Sequence, residues 1–300
     1  MIQEKKLISI PGWFEFFGPL MDFLEYYYAN PQFFYQDRQI DSIYDSYYNP
    51  LPLIWSGGRT PRITNLDLTM DVILEQFNNF PSIKLRHTFT NCLLDNDILI
   101  NDFRCNEFVK KYIRPQDEVI INHPKLIEHF KQNYPNISLI YSTTLGITKI
   151  KRINKLTTNS IYVMNYNKNN DNEYIKQLAH KENIEILCGE TCALNCPYRQ
   201  QHYKEISQGI LDCQTDITKL NYNCHDPSGA LPKYSVQDIL NREHAITNER
   251  MNELSQQGFR YFKITGRSVP LVYWLDVILY YLALPEYHEQ LKSMFIYNWW

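Results

Sequence analysis

The chain has 300 residues, 44% hydrophobic and 21% charged, with a formal net charge of −3 at neutral pH. This is the composition of a globular protein, long enough for one large domain or two small ones. The weak negative balance excludes a surface-wide positive field of the kind that binds nucleic acid, while leaving room for a local basic groove.

At the N-terminus the apolar run Leu7-Ile-Ser-Ile10 is too short for a signal peptide, and no small-residue cleavage site follows it. The longest apolar stretch, 269–284, is broken by Asp276 and is shorter than the roughly 20 residues that span a bilayer. The expectation is a cytoplasmic protein without a membrane segment. Residues 11–37 are crowded with aromatics, Trp13, Phe14, Phe16, Phe17, Phe23, Tyr26, Tyr27 and Tyr28, up to a break at Pro31. They read as helices packed by one broad face. Residues 1–38 are therefore expected to form a helical extension on a main domain, 39–300.

From there strands and helices alternate. Strands are read at 40–45, 83–89, 118–122, 137–142, 160–164, 184–187 and 258–264. Helices are read at 66–77, 106–113, 125–134, 147–156, 172–180, 247–257, 269–284 and 286 to about 297. Asn65 or Asp67 could cap the first of these. Gly57-Gly58-Arg59 allows a close backbone approach, with an arginine able to reach an anion. Alternation of this kind implies a parallel sheet. The fold expected is a TIM-type (β/α)8 barrel of about 250 residues. Seven strands are clear; an eighth is expected near 207–220, without which the barrel stays incomplete. A doubly wound open sheet is the runner-up, weakened because no glycine-rich phosphate fingerprint follows any strand.

In a barrel the working face lies at the carboxyl ends of the strands. Those ends supply Asp45 and Ser46; His87, Thr90 and Asn91; Asn122 and His123; Ser142, Thr143 and Thr144; Asn165 and Asn167; Glu190; and Lys263, Thr265 and Arg267. Five of the seven cysteines, Cys188, Cys192, Cys196, Cys213 and Cys224, fall in the loop 188–224. In a reducing compartment, clustered thiols favour metal ligands over disulfides. Cys192 and Cys196 give a local pair, Cys213 and Cys224 the rest, and Cys188, Cys92 and Cys105 belong to the core. Four thiolates suit an iron–sulphur cluster or zinc, and free cysteines remain the third reading. His225, beside Cys224, reads as a solvated loop histidine, with a ligand or acid/base role as the alternative. No HExxH motif or spaced Ser/His/Asp set is present.

Three stretches resemble the collagenase-like peptidase family. They are Asn122-His-Pro-Lys-Leu126 leading to Ile140-Tyr-Ser-Thr-Thr144, the strand and cysteines at 184–196, and Gly258-Phe-Arg-Tyr-Phe-Lys-Ile-Thr-Gly-Arg267. The last resembles the family's Phe-Lys-Ile-Glu-Gly-Arg element, with Thr265 in place of its glutamate; the family's Gly-Arg-Cys segment is missing and the cysteine spacing differs. The resemblance implies a TIM-type barrel with a 4Fe-4S cluster on Cys192, Cys196, Cys213 and Cys224, zinc being the alternative metal. It places Lys263 and Arg267 in the site, and His87 joins them as a candidate catalytic residue. The expected function is an iron–sulphur-binding barrel assisting an oxygen-independent redox or hydroxylation reaction on a small molecule or nucleobase. The alternatives are a peptidase, or a non-catalytic protein with a structural zinc site and a protein partner.

Overall fold

The computed structural model describes residues 5–57, 67–213 and 235–299. Its strands are Lys6–Pro11 (β1), Arg38–Asp45 (β2), Lys84–Phe89 (β3), Glu118–Ile121 (β4), Ser138–Tyr141 (β5), Ile161–Val163 (β6), Ile184–Cys188 (β7) and Tyr261–Ile264 (β8). They pair in parallel in chain order, and β8 returns to β1 to close the barrel. The helices form the outer layer. Phe17–Ala29 (α1) follows β1, Met70–Phe77 (α2) follows β2, and Asp97–Ile100 (α3) and Phe103–Tyr112 (α4) follow β3. Pro124–Asn133 (α5), Ile150–Leu156 (α6) and Asn172–Lys176 (α7) follow β4, β5 and β6. Arg199–Leu211 (α8), Val236–Leu240 (α9) and Asn248–Gln256 (α10) lie between β7 and β8, and Leu271–Leu282 (α11) and His288–Trp299 (α12) end the chain.

The TIM-type barrel is thus complete, but its eighth strand is not near 207–220. Residues up to Leu211 there are helical, and 214–220 lie outside the described residues. The missing strand is β1, built from the short apolar run at the N-terminus. It pairs with β2 and with β8, so no domain boundary falls at residue 38. The aromatic segment behind it is barrel wall. Trp13, Phe16 and Phe23 are buried, and α1 packs on the last two helices through Phe16 against Trp274 (5.1 Å between ring centroids) and Tyr26 against Phe295 (5.4 Å).

Local chemistry sets the element ends. Thr69 caps α2, accepting from the Val72 N–H, in place of the expected Asn65, which lies outside the described residues, or Asp67. Pro124 opens α5, where its missing N–H leaves no hydrogen bond unmade. Gly57 lies against the β3 exit so closely that a Cβ would stand 2.4 Å from the Thr90 carbonyl carbon, which forbids any side chain there. The longest apolar stretch became α11, buried along most of its length. No described helix is long and apolar enough to cross a membrane.

Strand residues alternate between the helix layer and the barrel interior. Val119, Ile121, Ile184, Ile186, Phe262 and Ile264 join the large outer core, whereas Tyr44, Ile120, Ile140, Val163 and Leu187 form a small separate cluster inside the barrel. On the amino-terminal side of that cluster the interior is ionic. Arg86, fully buried, binds Glu118 at 2.7 Å and also Glu185, and Lys84 reaches Asp41 at 3.2 Å. The nearby carboxylates hold the Arg86 guanidinium firmly charged despite its burial. Removing one partner strands the others without solvent. Arg86→Leu should therefore cost about 3–5 kcal/mol in urea unfolding; a loss under about 1 kcal/mol would show that the barrel tolerates the unpaired carboxylates.

Candidate active site at the barrel mouth

The carboxyl ends of the strands enclose a pocket of about 110 Å³. Its floor is the inner cluster: Tyr44, Ile120, Val163 and Leu187 all line it. The strand parity that sends Phe262 and Ile264 outward turns Lys263 inward. The Lys263 Nζ lies 3.7 Å from the Tyr44 ring centroid, and the Arg267 guanidinium lies 5.5 Å from the same ring. Tyr44 is fixed there because its hydroxyl donates to the Ile264 carbonyl at 2.9 Å, tying β2 to β8 across the intervening strand.

Helix α8 roofs the pocket with His202, Tyr203 and Ile206. It is anchored at both ends. Near its start the Arg199 guanidinium binds Glu190 at 3.3 Å and stacks on the Tyr166 ring at 4.3 Å. Near its end the Cys92 N–H donates to the Ser207 hydroxyl at 3.0 Å, and the Asn91 amide donates to the Ser207 carbonyl at 3.3 Å. Both anchors pair polar groups that would otherwise be buried without a partner, and Ile206 and Ile210 add buried apolar surface.

The charges are unevenly partnered. Arg267 donates to Ser46 at 2.9 Å, with Asp45 at 4.0 Å. Asp45 is committed elsewhere, accepting the Phe14, Glu15 and Ser46 backbone N–H groups. Lys263 is only 7% exposed and has neither a hydrogen bond nor a carboxylate partner among the described residues. Burial lowers its pKa from 10.5 to about 7; Glu185 opposes the shift, and Arg86 and Arg267 add to it. In the same pocket lining, the hydroxyls of Thr88 and Thr90 are buried without a partner among the described residues.

The sequence profile of Peptidase family U32 matches residues 103–294. The chain belongs to that family. No curated protein matches it. The match runs from α4 to α12 and includes Lys263, Arg267, Glu190 and the cysteine loop.

In this U32 chain the expected site residues separate into those the mouth gathers and those it does not. Lys263, Arg267, Thr265, Thr90, Ser142, Thr143, Thr144, Glu190 and Cys192 line one pocket. His87 does not. Strand parity puts Arg86 and Thr88 inside and His87 outside, against Trp13 (5.2 Å) and Phe108 (5.6 Å), with Asp117 at 3.8 Å. It packs beneath the helices and reaches no pocket atom. Arg86, on the inner face of the same strand, is consumed by Glu118 and Glu185. Arg59, Cys224 and His225 lie outside the described residues. Arg199, Tyr44 and His202 line the pocket without having been singled out. Arg199 carried a signal, three residues past Cys196 on the first turn of a helix.

The thiols are dispersed. Cys188 faces the outer core and is fully buried. Cys192 is at the pocket, and Cys196 lies one turn on, its N–H donating to the Ala193 carbonyl. Cys213 lies beyond the far end of α8, whose 13 residues at 1.5 Å rise separate it from Cys196 by about 20 Å. The four-cysteine set of the resemblance is therefore not gathered by its three described members, which do not fit one cluster or one zinc ion. Among the described residues, the His/Cys/Asp/Glu group close enough to share an ion is Asp276, His288 and Glu289. It sits on the outer helices, where the Lys292 ammonium is already 2.9 Å from Asp276.

Two measurements check this geometry. Cys213 is exposed, whereas burial raises the thiol pKa of Cys188 and Cys105. Native-state iodoacetamide should therefore modify Cys213 well before Cys188 or Cys105, as read by peptide mass mapping; equal rates would contradict the placement. Lys263 also gives a pH signature. Between about 7 and 10.5 the unfolded chain carries a proton on Lys263 that the folded chain lacks. This group's contribution to stability therefore rises with pH across that window and is lost as pH falls through about 7. Urea midpoints of the Lys263→Met variant should show a flatter rise than the parent chain over the same range.

Proposed function

We propose that this U32-family protein is an enzyme acting on a small anionic molecule held at the barrel mouth beneath α8. The observation that carries this reading is the pairing of Lys263 and Arg267 on one tyrosine ring inside a roofed pocket, with Lys263 lacking any carboxylate partner among the described residues. Two cations in a water-poor site attract an anion far more strongly than they would at the surface. The unpartnered hydroxyls of Thr88 and Thr90 add donors for its oxygens. The cavity, at about 110 Å³, is small beside the roughly 300–1,000 Å³ of drug-sized sites, which favours a small molecule over a polypeptide.

A second reading has one observation behind it. Cys192 and His202 line the same pocket, and the Arg199 cation interacts with Cys192. A neighbouring cation favours the thiolate, so a cysteine-based cleavage of a small peptide is the form the peptidase alternative takes here. The iron–sulphur redox or hydroxylation reading has less support, because Cys213 stands a helix length from Cys192 and Cys196.

Thermal-shift titrations separate these readings. Pyruvate or inorganic phosphate should stabilise the protein, and Arg267→Ala should weaken that binding tenfold or more, the scale of a lost charged hydrogen bond. Stabilisation by acetone equal to that by pyruvate would overturn the anion reading. Hydrolysis of short peptides that disappears in Cys192→Ser would establish the second. Iron that co-purifies anaerobically and is lost in both Cys192→Ala and Cys213→Ala would restore the cluster.

A further inference from the structure

Lys263 is placed as a nucleophile as well as a charge. Its Nζ lies 3.7 Å from the Tyr44 ring centroid, in a pocket that Ile120, Val163 and Leu187 also line. The carboxylate nearest in effect, Glu185, gives one oxygen to Arg86 and is not within ion-pair distance of Lys263. A buried amine with no ionic partner among the described residues and with other cations nearby is the arrangement that activates lysine toward carbonyl carbon. Thr88 and Thr90 line the same cavity and their hydroxyls are unpartnered among the described residues, which makes them the candidate donors to an oxygen on the carbon under attack. Arg267, 5.5 Å from the same Tyr44 ring and lining the same pocket, can meet a carboxylate or phosphate on the same molecule.

We propose that Lys263 forms a Schiff base with a small aldehyde or ketone that carries an anionic group. The proposal rests on the anion-binding reading above for the choice of substrate, and on the pocket geometry alone for the covalent step. The neutral Nζ lone pair forms a C–N bond to the carbonyl carbon, and the π pair moves to oxygen, which is protonated. The resulting carbinolamine expels that oxygen as water after taking a further proton, and the nitrogen keeps one hydrogen and the positive charge. The net change is amine, carbonyl compound and one proton to iminium and water, with no oxidant or reductant. The groups facing Lys263 that set its protonation are Glu185 on β7, Arg86 on β3, Tyr44 on β2 and Arg267 after β8.

The test is reductive trapping on the full chain. Protein is incubated near neutral pH with pyruvate and sodium cyanoborohydride, and with acetone and cyanoborohydride in parallel, and modified lysines are located by peptide mass mapping. Lys263 should be trapped by pyruvate at least tenfold faster than the exposed lysines Lys110 and Lys176, although it is far less accessible. Pre-incubation with phosphate should slow trapping at Lys263 and leave the surface lysines unaffected. If Lys263 is modified no faster than the exposed lysines, the Schiff-base inference is wrong, whatever pyruvate does to thermal stability. If acetone traps Lys263 as fast as pyruvate does, the amine chemistry stands and the anion reading fails. Lys263→Arg, which keeps the charge and cannot form the adduct, should lose trapping while still binding phosphate. Should that variant not fold, the site-resolved rates on the parent chain decide alone.

Discussion

Arg86 has no solvent exposure and binds Glu118 and Glu185 from inside the barrel. The interior could have been filled with branched apolar side chains, and in its upper layer it is. Below that layer three carboxylates, Asp41, Glu118 and Glu185, face two cations, Lys84 and Arg86. Such a cluster is weak evidence for stability, because desolvation offsets much of the attraction. What it does provide is geometry. Each charge must meet its partner, so the register of β2, β3, β4 and β7 is constrained by ionic contacts as well as by the backbone ladder.

The same cluster tunes the mouth. Glu185 is held by Arg86 on one oxygen, so it attracts Lys263 from a distance without pairing with it. Arg267 and Arg86 repel Lys263. Burial, attraction and repulsion together leave the amine poised near neutrality, where it can be free base or ammonium with little change in conditions. Tyr44 makes this arrangement rigid, because its hydroxyl is bonded to the strand that carries Lys263. Helix α8 completes it from above. The roof is polar at both anchors, through Arg199 with Glu190 and Ser207 with Asn91 and Cys92. Breaking either anchor would open the pocket without disturbing the barrel beneath.

Much of the fold was legible because parallel strands buried on both faces read as short apolar runs between helical patterns. The run Leu7-Ile-Ser-Ile10 had that character. No helical pattern precedes it to mark it as a strand, and one of its two partners, Tyr261–Ile264, is some 250 residues away. The roof was legible in retrospect. Tyr203, Ile206 and Ile210 recur at helical spacing through a polar stretch, a period that argues against a strand near 207–220. His87 was misassigned through strand parity. Once Arg86 is inside, its neighbours in sequence must be outside, and a charged side chain with no helix-facing partner is the better marker of the inner phase. Lys263 and Arg267 stand out twice, at a strand's carboxyl end and in the Phe-Lys-Ile-x-Gly-Arg element. Nothing in composition or period singles out a lysine in an apolar strand as unpaired, since that depends on which carboxylates the other strands have already committed.

The cysteines show how far proximity in sequence can depart from proximity in space. Cys188, Cys192 and Cys196 are spaced four apart, but the first belongs to a strand and the others to a turn. Cys188 therefore points into the outer core while Cys192 reaches the pocket. Cys213 is carried across the mouth by a straight helix, toward the side where Tyr48 stands. A loop could have folded back and brought these sulphurs together; a helix of 13 residues cannot. The segment that looked like a ligand cradle acts mainly as a cover. It brings the Cys192 thiol, the Arg199 guanidinium, the Glu190 carboxylate and the α8 side chains His202, Tyr203 and Ile206 to the pocket, and covering Lys263 in this way is what makes a buried lysine chemically different from the lysines on the surface.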